Sequence, residues 1–193
     1  TSLPPFARAE ETLIQFQHKE SNFVDFKRDK VLHKLLSREG PGMAVGDING
    51  DGLDDLFIGG AKGQASGYFI QQKDGRFSSS FLPTEMVEVK GAIISDVNGD
   101  GTGDLMFCSG SNENTAADSV TQLHLYLANL KGELTLSRAS VPAITSQLSC
   151  LTGCDFDKDG DIDFFVGGRQ IPQRYGESPN SYLLSNQGGV FAD

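Results

Sequence analysis

The chain has 193 residues, with 26 acidic against 16 basic side chains and a formal net charge of −10. That length can bury a real core and is most simply one domain, and the acidic balance excludes a phosphate-backbone binder, which needs a basic patch. No apolar run approaches the length of a membrane span, so no membrane insertion is expected.

Residues 1–40 lie outside any repeat and are expected to form an N-terminal extension packed on the edge of the repeated region, residues 41–193. Phe16, Phe23, Val24 and Phe26 read as its apolar anchors. Over Asp29–Glu39, Val31, Leu32, Leu35 and Leu36 fall at helical spacing among Lys27, Arg28, Lys30, Lys34 and Arg38. This pattern predicts a short amphipathic helix covering that edge. Basic amphipathic helices also suit a partner or a membrane surface.

From residue 41 onward an acidic loop recurs three times: Asp47-Ile48-Asn49-Gly50-Asp51-Gly52-Leu53-Asp54-Asp55, Asp96–Asp104 and Asp155–Asp163. Each copy reads D-x-[DN]-x-D-G-x-x-D. Oxygen-bearing side chains at positions 1, 3, 5 and 9, with the backbone carbonyl of position 7, suit the six to eight oxygens that Ca²⁺ takes in a flexible shell. The candidate ligands are Asp47, Asn49, Asp51, Leu53 (carbonyl) and Asp55; Asp96, Asn98, Asp100, Thr102 (carbonyl) and Asp104; and Asp155, Asp157, Asp159, Asp161 (carbonyl) and Asp163. Crowded carboxylates repel, by about 4 kcal/mol gross for one pair at 4 Å and an effective dielectric near 20. A divalent cation removes that penalty, and three Ca²⁺ would bring the net charge to about −4. The loops are not EF-hands, which need a bidentate Glu at position 12 and flanking helices. Position 12 is Ile58, Phe107 or Val166.

Apolar segments flank each loop: Met43–Val45 and Leu56–Ile58, Ala92–Ile94 and Leu105–Phe107, Leu151–Gly153 and Phe164–Val166. Those after the loops read as strands buried on both faces. A polar connection comes after each one, then a hairpin turning at Asp74-Gly75, Lys131-Gly132 or Gly188-Gly189. The unit is strand, acidic loop, strand, connection, strand, turn, strand. Four strands at a period near 50 residues make the blade of a β-propeller, so the expected fold is all-β with three four-stranded antiparallel blades, at 41–82, 88–140 and 148–193. Three blades cannot close a propeller of four to eight. The expectation is a portion of a larger propeller, with self-association through open blade edges as the alternative.

The loops, with Phe57-Ile58-Gly59-Gly60-Ala61 after the first, resemble the FG-GAP repeat of integrin α-subunit propellers. They are more similar still to bacterial VCBS/FG-GAP proteins, including those carrying an ASPIC/UnbV domain. A phrase like Gly40–Asp47 leads into the first loop there, and one like Ser181–Phe191 closes a blade. The resemblance covers residues 40–193, and the second copy departs from it with Cys108-Ser109-Gly110 where the others have Gly-Gly. It implies that the calcium loop joins the first two strands of a blade on one rim, with ligand-recognition loops on the opposite rim. It also points to a bacterial cell surface, periplasm or extracellular medium, where calcium modules of this affinity range work.

Among the connections, Arg169–Asn180 is the longest and holds Arg169, Gln173, Arg174, Tyr175 and Glu177. Arg and Tyr are enriched at recognition hot spots, so Arg169, Arg174 and Tyr175 are the candidates for binding a protein or carbohydrate ligand. Cys108, Cys150 and Cys154 read as small residues buried between blades; the last two, on one strand, would be about 13 Å apart, too far for a disulfide. For catalysis, His18, His33 and His124 stand in unrelated contexts and none adjoins a nucleophile pattern. The reading is a non-enzymatic calcium-binding module for protein or glycan adhesion. Its alternative is an accessory portion of a larger carbohydrate-active enzyme or lyase.

Overall fold

The computed structural model describes residues 13–193 except 115–121, 139, 145, 172, 173 and 175. Its strands form three four-stranded antiparallel sheets, each strand pairing with its neighbour in sequence. Blade 1 holds β1 (Met43–Gly46), β2 (Asp55–Ile58), β3 (Ser66–Gln71) and β4 (Phe77–Leu82). Blade 2 holds β5 (Val89–Ser95), β6 (Asp104–Ser109), β7 (Leu123–Leu127) and β8 (Thr135–Leu136). Blade 3 holds β9 (Gln147–Cys154), β10 (Asp163–Gln170), β11 (Tyr182–Asn186) and β12 (Phe191–Ala192). Each acidic loop joins the first and second strands of its blade. The innermost strands lie side by side, with β5 touching both β1 and β9.

Alternation along the strands builds two cores, one in each seam between blades. Leu105 and Phe107 of β6 turn toward blade 1 and meet Phe57, Tyr68 and Ile70. Met106 and Cys108 of the same strand turn toward blade 3 and meet Phe164, Val166 and Leu184. Phe107 anchors the first seam, stacked on Phe57 (5.9 Å, 14°), His124 (4.6 Å, 20°) and Tyr126 (5.9 Å, 20°).

β6 is buried at every position, as its unbroken apolar run predicts. The same pattern gives a different result in β10, where Phe165 is 43% exposed beside Leu183 at 45%. The reason is position: among the described residues no sheet packs on that face of blade 3. Cys150 and Cys154 share the face and are exposed, against the expectation of burial between blades, whereas Cys108 is buried. A strand's period alone does not say which face has a neighbour.

The corresponding outer face of blade 1 is partly covered by the N-terminal segment. Phe16 meets Phe69 edge-on at 6.2 Å, and Gln64 exchanges hydrogen bonds with the backbone of Gln17 and Lys19. The helix expected over Asp29–Glu39 is absent. A 3-10 turn at Asp25–Lys27 is followed by turns and bends, and the described residues contain no α-helix. Eleven residues are marginal for a helix unless packing supports it, and here the polar groups have better partners. The Asp25 carboxylate accepts from the Ser37 backbone N–H (3.3 Å) and hydroxyl (2.6 Å), and Lys90 donates to the Leu36 carbonyl (2.9 Å). Leu32 and Leu36 are still buried, but Val31 is 71% exposed.

The segment then runs along the rim opposite the acidic loops and reaches all three blades. Arg28 donates to the carbonyls of Asn112 and Asn114 in blade 2. Glu39 takes Lys34 at 2.8 Å and a bidentate guanidinium from Arg169 in blade 3. Burial works to raise the Glu39 carboxyl, but the hydrogen bonds from Arg169 and Lys34 outweigh it and hold the pKa below the usual value. An acid depressed in the folded state adds stability above its unfolded pKa and loses it as pH falls through the folded one. Glu39→Gln is therefore expected to lower the melting temperature at pH 7, with the difference from the parent shrinking as pH falls below about 4.5. A difference that persists unchanged at pH 3 would show that Glu39 contributes by packing instead.

Candidate metal centre

Each acidic loop is shaped by its own side chains, which accept backbone N–H groups from residues a few positions on. In loop 1 the Asp47 carboxylate accepts from Asp51 N (3.1 Å) and Gly52 N (2.7 Å), while Asp51 Oδ1 accepts from Leu53 N (2.9 Å). Asn49 Oδ1 also accepts from Asp51 N at 3.2 Å. Loop 2 repeats this: Asp96 accepts from Asp100 N and Gly101 N, Asn98 from Asp100 N, and Asp100 from Thr102 N. Loop 3 keeps three of the bonds, Asp155 with Gly160 N, Asp157 with Asp159 N and Asp159 with Asp161 N. This is Asx-turn chemistry, in which short acidic side chains substitute for backbone partners. In loops 1 and 2 the position 3 amide also donates to the position 5 carboxylate, Asn49 Nδ2 to Asp51 Oδ2 at 3.2 Å and Asn98 Nδ2 to Asp100 Oδ2 at 3.0 Å. In loop 3 the carboxylates of Asp155, Asp157 and Asp159 offer oxygens all within 4.8 Å of one another.

Position 9 behaves differently from the other three. Asp55 is 1% exposed; its Oδ2 accepts from Ile48 N (2.8 Å) and its Oδ1 from Gln71 N (2.7 Å) at the end of β3. Asp104 repeats this with Val97 N and Ala128 N, and Asp163 with Phe156 N and Asn186 N. The side chain thus pins the loop to the third strand of its blade, a framework role that the ligand pattern does not reveal. Each of its oxygens keeps a second lone pair. Burial raises the pKa of Asp55, and the charges of Asp51 and Asp47 add to the effect. Asp104 is pushed up to about 6, chiefly by burial, with Asp100 and Asp96 adding. Asp157 is raised as well, by local desolvation together with the charges of Asp159, Asp163 and Asp155.

The donor set fits a hard divalent cation. It consists of carboxylate and amide oxygens, the carboxylates brought within 4.8 Å of one another in loop 3, with a buried acid at position 9 whose charged form burial disfavours in loops 1 and 2. Asp161 departs from its equivalents because its carboxylate also accepts from Gly188 N at 3.0 Å. Lys158 stands where loops 1 and 2 have Gly and takes φ +65.

Of the candidate ligand residues, Arg169 and Arg174 lie on the other rim and are bound to different partners. Arg169 is committed to Glu39. Arg174 is exposed and pairs with Glu177 in its own loop, with Nε 2.7 Å from Oε1. Tyr175 and Gln173 lie outside the described residues, as does the later part of the 111–119 connection.

Compared with known families, residues 47–107 and again 96–166 match the model of the FG-GAP-like repeat. Each match starts at the first Asp of one loop and runs past the next loop into the strand after it. Together they cover more than half of the chain. No curated protein matches it.

Proposed function

The chain belongs to the FG-GAP-like repeat family, and on that premise we propose that it is a non-enzymatic, calcium-stabilised array of propeller blades that serves protein or glycan binding outside the cell. The supporting observation is the threefold recurrence of one side-chain-to-backbone hydrogen-bond pattern, together with loop 3, where three carboxylates gather without a cation-bearing side chain among their hydrogen-bond partners. Asp47, Asn49 and Asp51, their counterparts in loops 2 and 3, the position 7 carbonyls and the position 9 acids would hold the ions. A bound Ca²⁺ supplies charge neutralisation, and so stabilises loops that otherwise set carboxylates against one another. The blades then form a rigid platform whose opposite rim carries the variable connections, the usual place for recognition on a fixed scaffold.

An extracellular or bacterial cell-surface location belongs to the same reading, because calcium modules of modest affinity fill at the millimolar concentrations found there. No helix among the described residues is long and apolar enough to cross a membrane.

Thermal unfolding in excess chelator and across a Ca²⁺ titration, with Mg²⁺ as control, tests the proposal. Binding to the native state alone adds about 2.7 kcal/mol at a hundredfold excess over Kd. A saturable, calcium-selective rise in melting temperature is expected. Identical melts in calcium and chelator would overturn the reading.

A further inference from the structure

Two of the three acidic loops are covered by the next blade. The β7–β8 turn of blade 2 leans over loop 1: a Cβ built on Gly132 would lie 3.6 Å from the Asn49 Cβ and 3.1 Å from the Ile70 side chain. Leu130 of the same turn reaches to 3.7 Å from where a Cβ on Gly50 would stand. The β11–β12 turn of blade 3 treats loop 2 in the same way. A Cβ on Gly189 would lie 3.0 Å from the Asn98 Cβ, while Asn186 Nδ2 donates to the Val97 carbonyl at 2.8 Å and Asn186 Oδ1 accepts from Gly189 N at 2.8 Å.

Asn49 and Asn98 both occupy position 3 of their loops. One element, a glycine of the next blade's hairpin turn, therefore rests on the same candidate ligand in both seams. Loop 3 differs. Its position 3 is the exposed Asp157, and no turn lies over it among the described residues. The residue types agree with this difference: position 3 is neutral where a turn covers it and charged where it is open, since covering an ionised group is costly.

We propose that these two turns are latches that couple cation occupancy of loops 1 and 2 to the docking of the next blade, whereas loop 3 meets only a turn of its own blade, through Asp161 and Gly188 N, among the described residues. This rests on the calcium reading above and adds to it a difference among the sites. Asn49 or Asn98, fixed inward as a ligand, offers the turn glycine a defined surface. A docked glycine in turn restricts that Asn to its ligating position. Coupling of this kind is reciprocal: the seam favours the ion as much as the ion favours the seam.

The test uses the whole chain, with Ca²⁺ itself as the probe in calorimetric titrations and circular dichroism to verify folding. Gly132→Ala and Gly189→Ala place a methyl group against the covered Asn. Gly75→Ala is the control, because its turn has a comparable φ of +80 and a Cβ there meets nothing within 4 Å. Each of the first two variants is expected to weaken one site by about fivefold or more, within the usual range for coupled sites, with Gly75→Ala unchanged. In the parent chain, calcium should slow amide hydrogen exchange in turn 129–132 but not in 72–75; turn 187–190 is left out because Gly188 N also donates to Asp161 of loop 3. That second measurement needs no variant and stands even if a substitution prevents folding. Three sites in the parent with no difference among the variants, or exchange slowed equally in turns 129–132 and 72–75, would overturn the latches and leave the calcium reading intact. No calcium binding by the parent chain would overturn both.

Discussion

Phe107→Ala is expected to lower the unfolding free energy by about 3–5 kcal/mol, the range for removing a fully buried aromatic ring from a core. Phe107 is 0% exposed and stacks on rings from both blades of the first seam, so the cavity would open where Phe57, His124 and Tyr126 meet. β6 lies in the central blade with both faces covered, which gives the surroundings little room to collapse into the space. Domains of this size typically hold about 5–15 kcal/mol in total, so the variant would be close to its limit at 37 °C. Phe165→Ala is the matched comparison. The same residue type at the adjacent strand position of blade 3 is 43% exposed, and its loss should cost under about 1 kcal/mol. Equal denaturation midpoints for the two variants would contradict the two-seam core.

The second large effect separates the two roles within an acidic loop. Asp104→Ala removes the acceptor for both Val97 N and Ala128 N and should cost about 2–4 kcal/mol even in chelator, because buried donors are left unpaired, with any loss as a ligand added in calcium. Asp100→Ala, at the exposed position 5 of the same loop, should cost little in chelator and lower the melting temperature only when calcium is present. The pair is best read as melting curves of both variants in calcium and in chelator. If Asp104→Ala were neutral in chelator, position 9 would have no pinning role beside its role as a ligand.

Much of this architecture is legible in the sequence because its signals are local. Nine consecutive residues carry the loop pattern, and the apolar triplets on either side identify the strands. Turns such as Asp74-Gly75 and Gly188-Gly189 fall where β3 meets β4 and β11 meets β12. What escapes the sequence depends on partners far along the chain. Asp55 is indistinguishable from Asp51 as a ligand until the end of β3 delivers the Gln71 N–H to it. Arg169 reads as a recognition residue because nothing nearby in sequence claims it, yet Glu39 does. The apolar spacing of Val31, Leu32, Leu35 and Leu36 is real, but helix formation competes with Asp25 and Lys90, which take the backbone and hydroxyl groups of the segment instead.

The N-terminal segment also bears on how the blades can come apart. It crosses the rim opposite the acidic loops and ties blade 1 to blade 3 through Glu39 and Arg169, so the three sheets resemble a fan bound on both sides. One binding is a cord of ion pairs and the other a row of loops suited to metal. Acid acts on the first by neutralising Glu39. Chelation acts on the second. Chelation should therefore spread the fan from the loop side alone, whereas acid reaches both sides, because Asp55 and Asp104, with raised pKa, take up protons before Glu39 does.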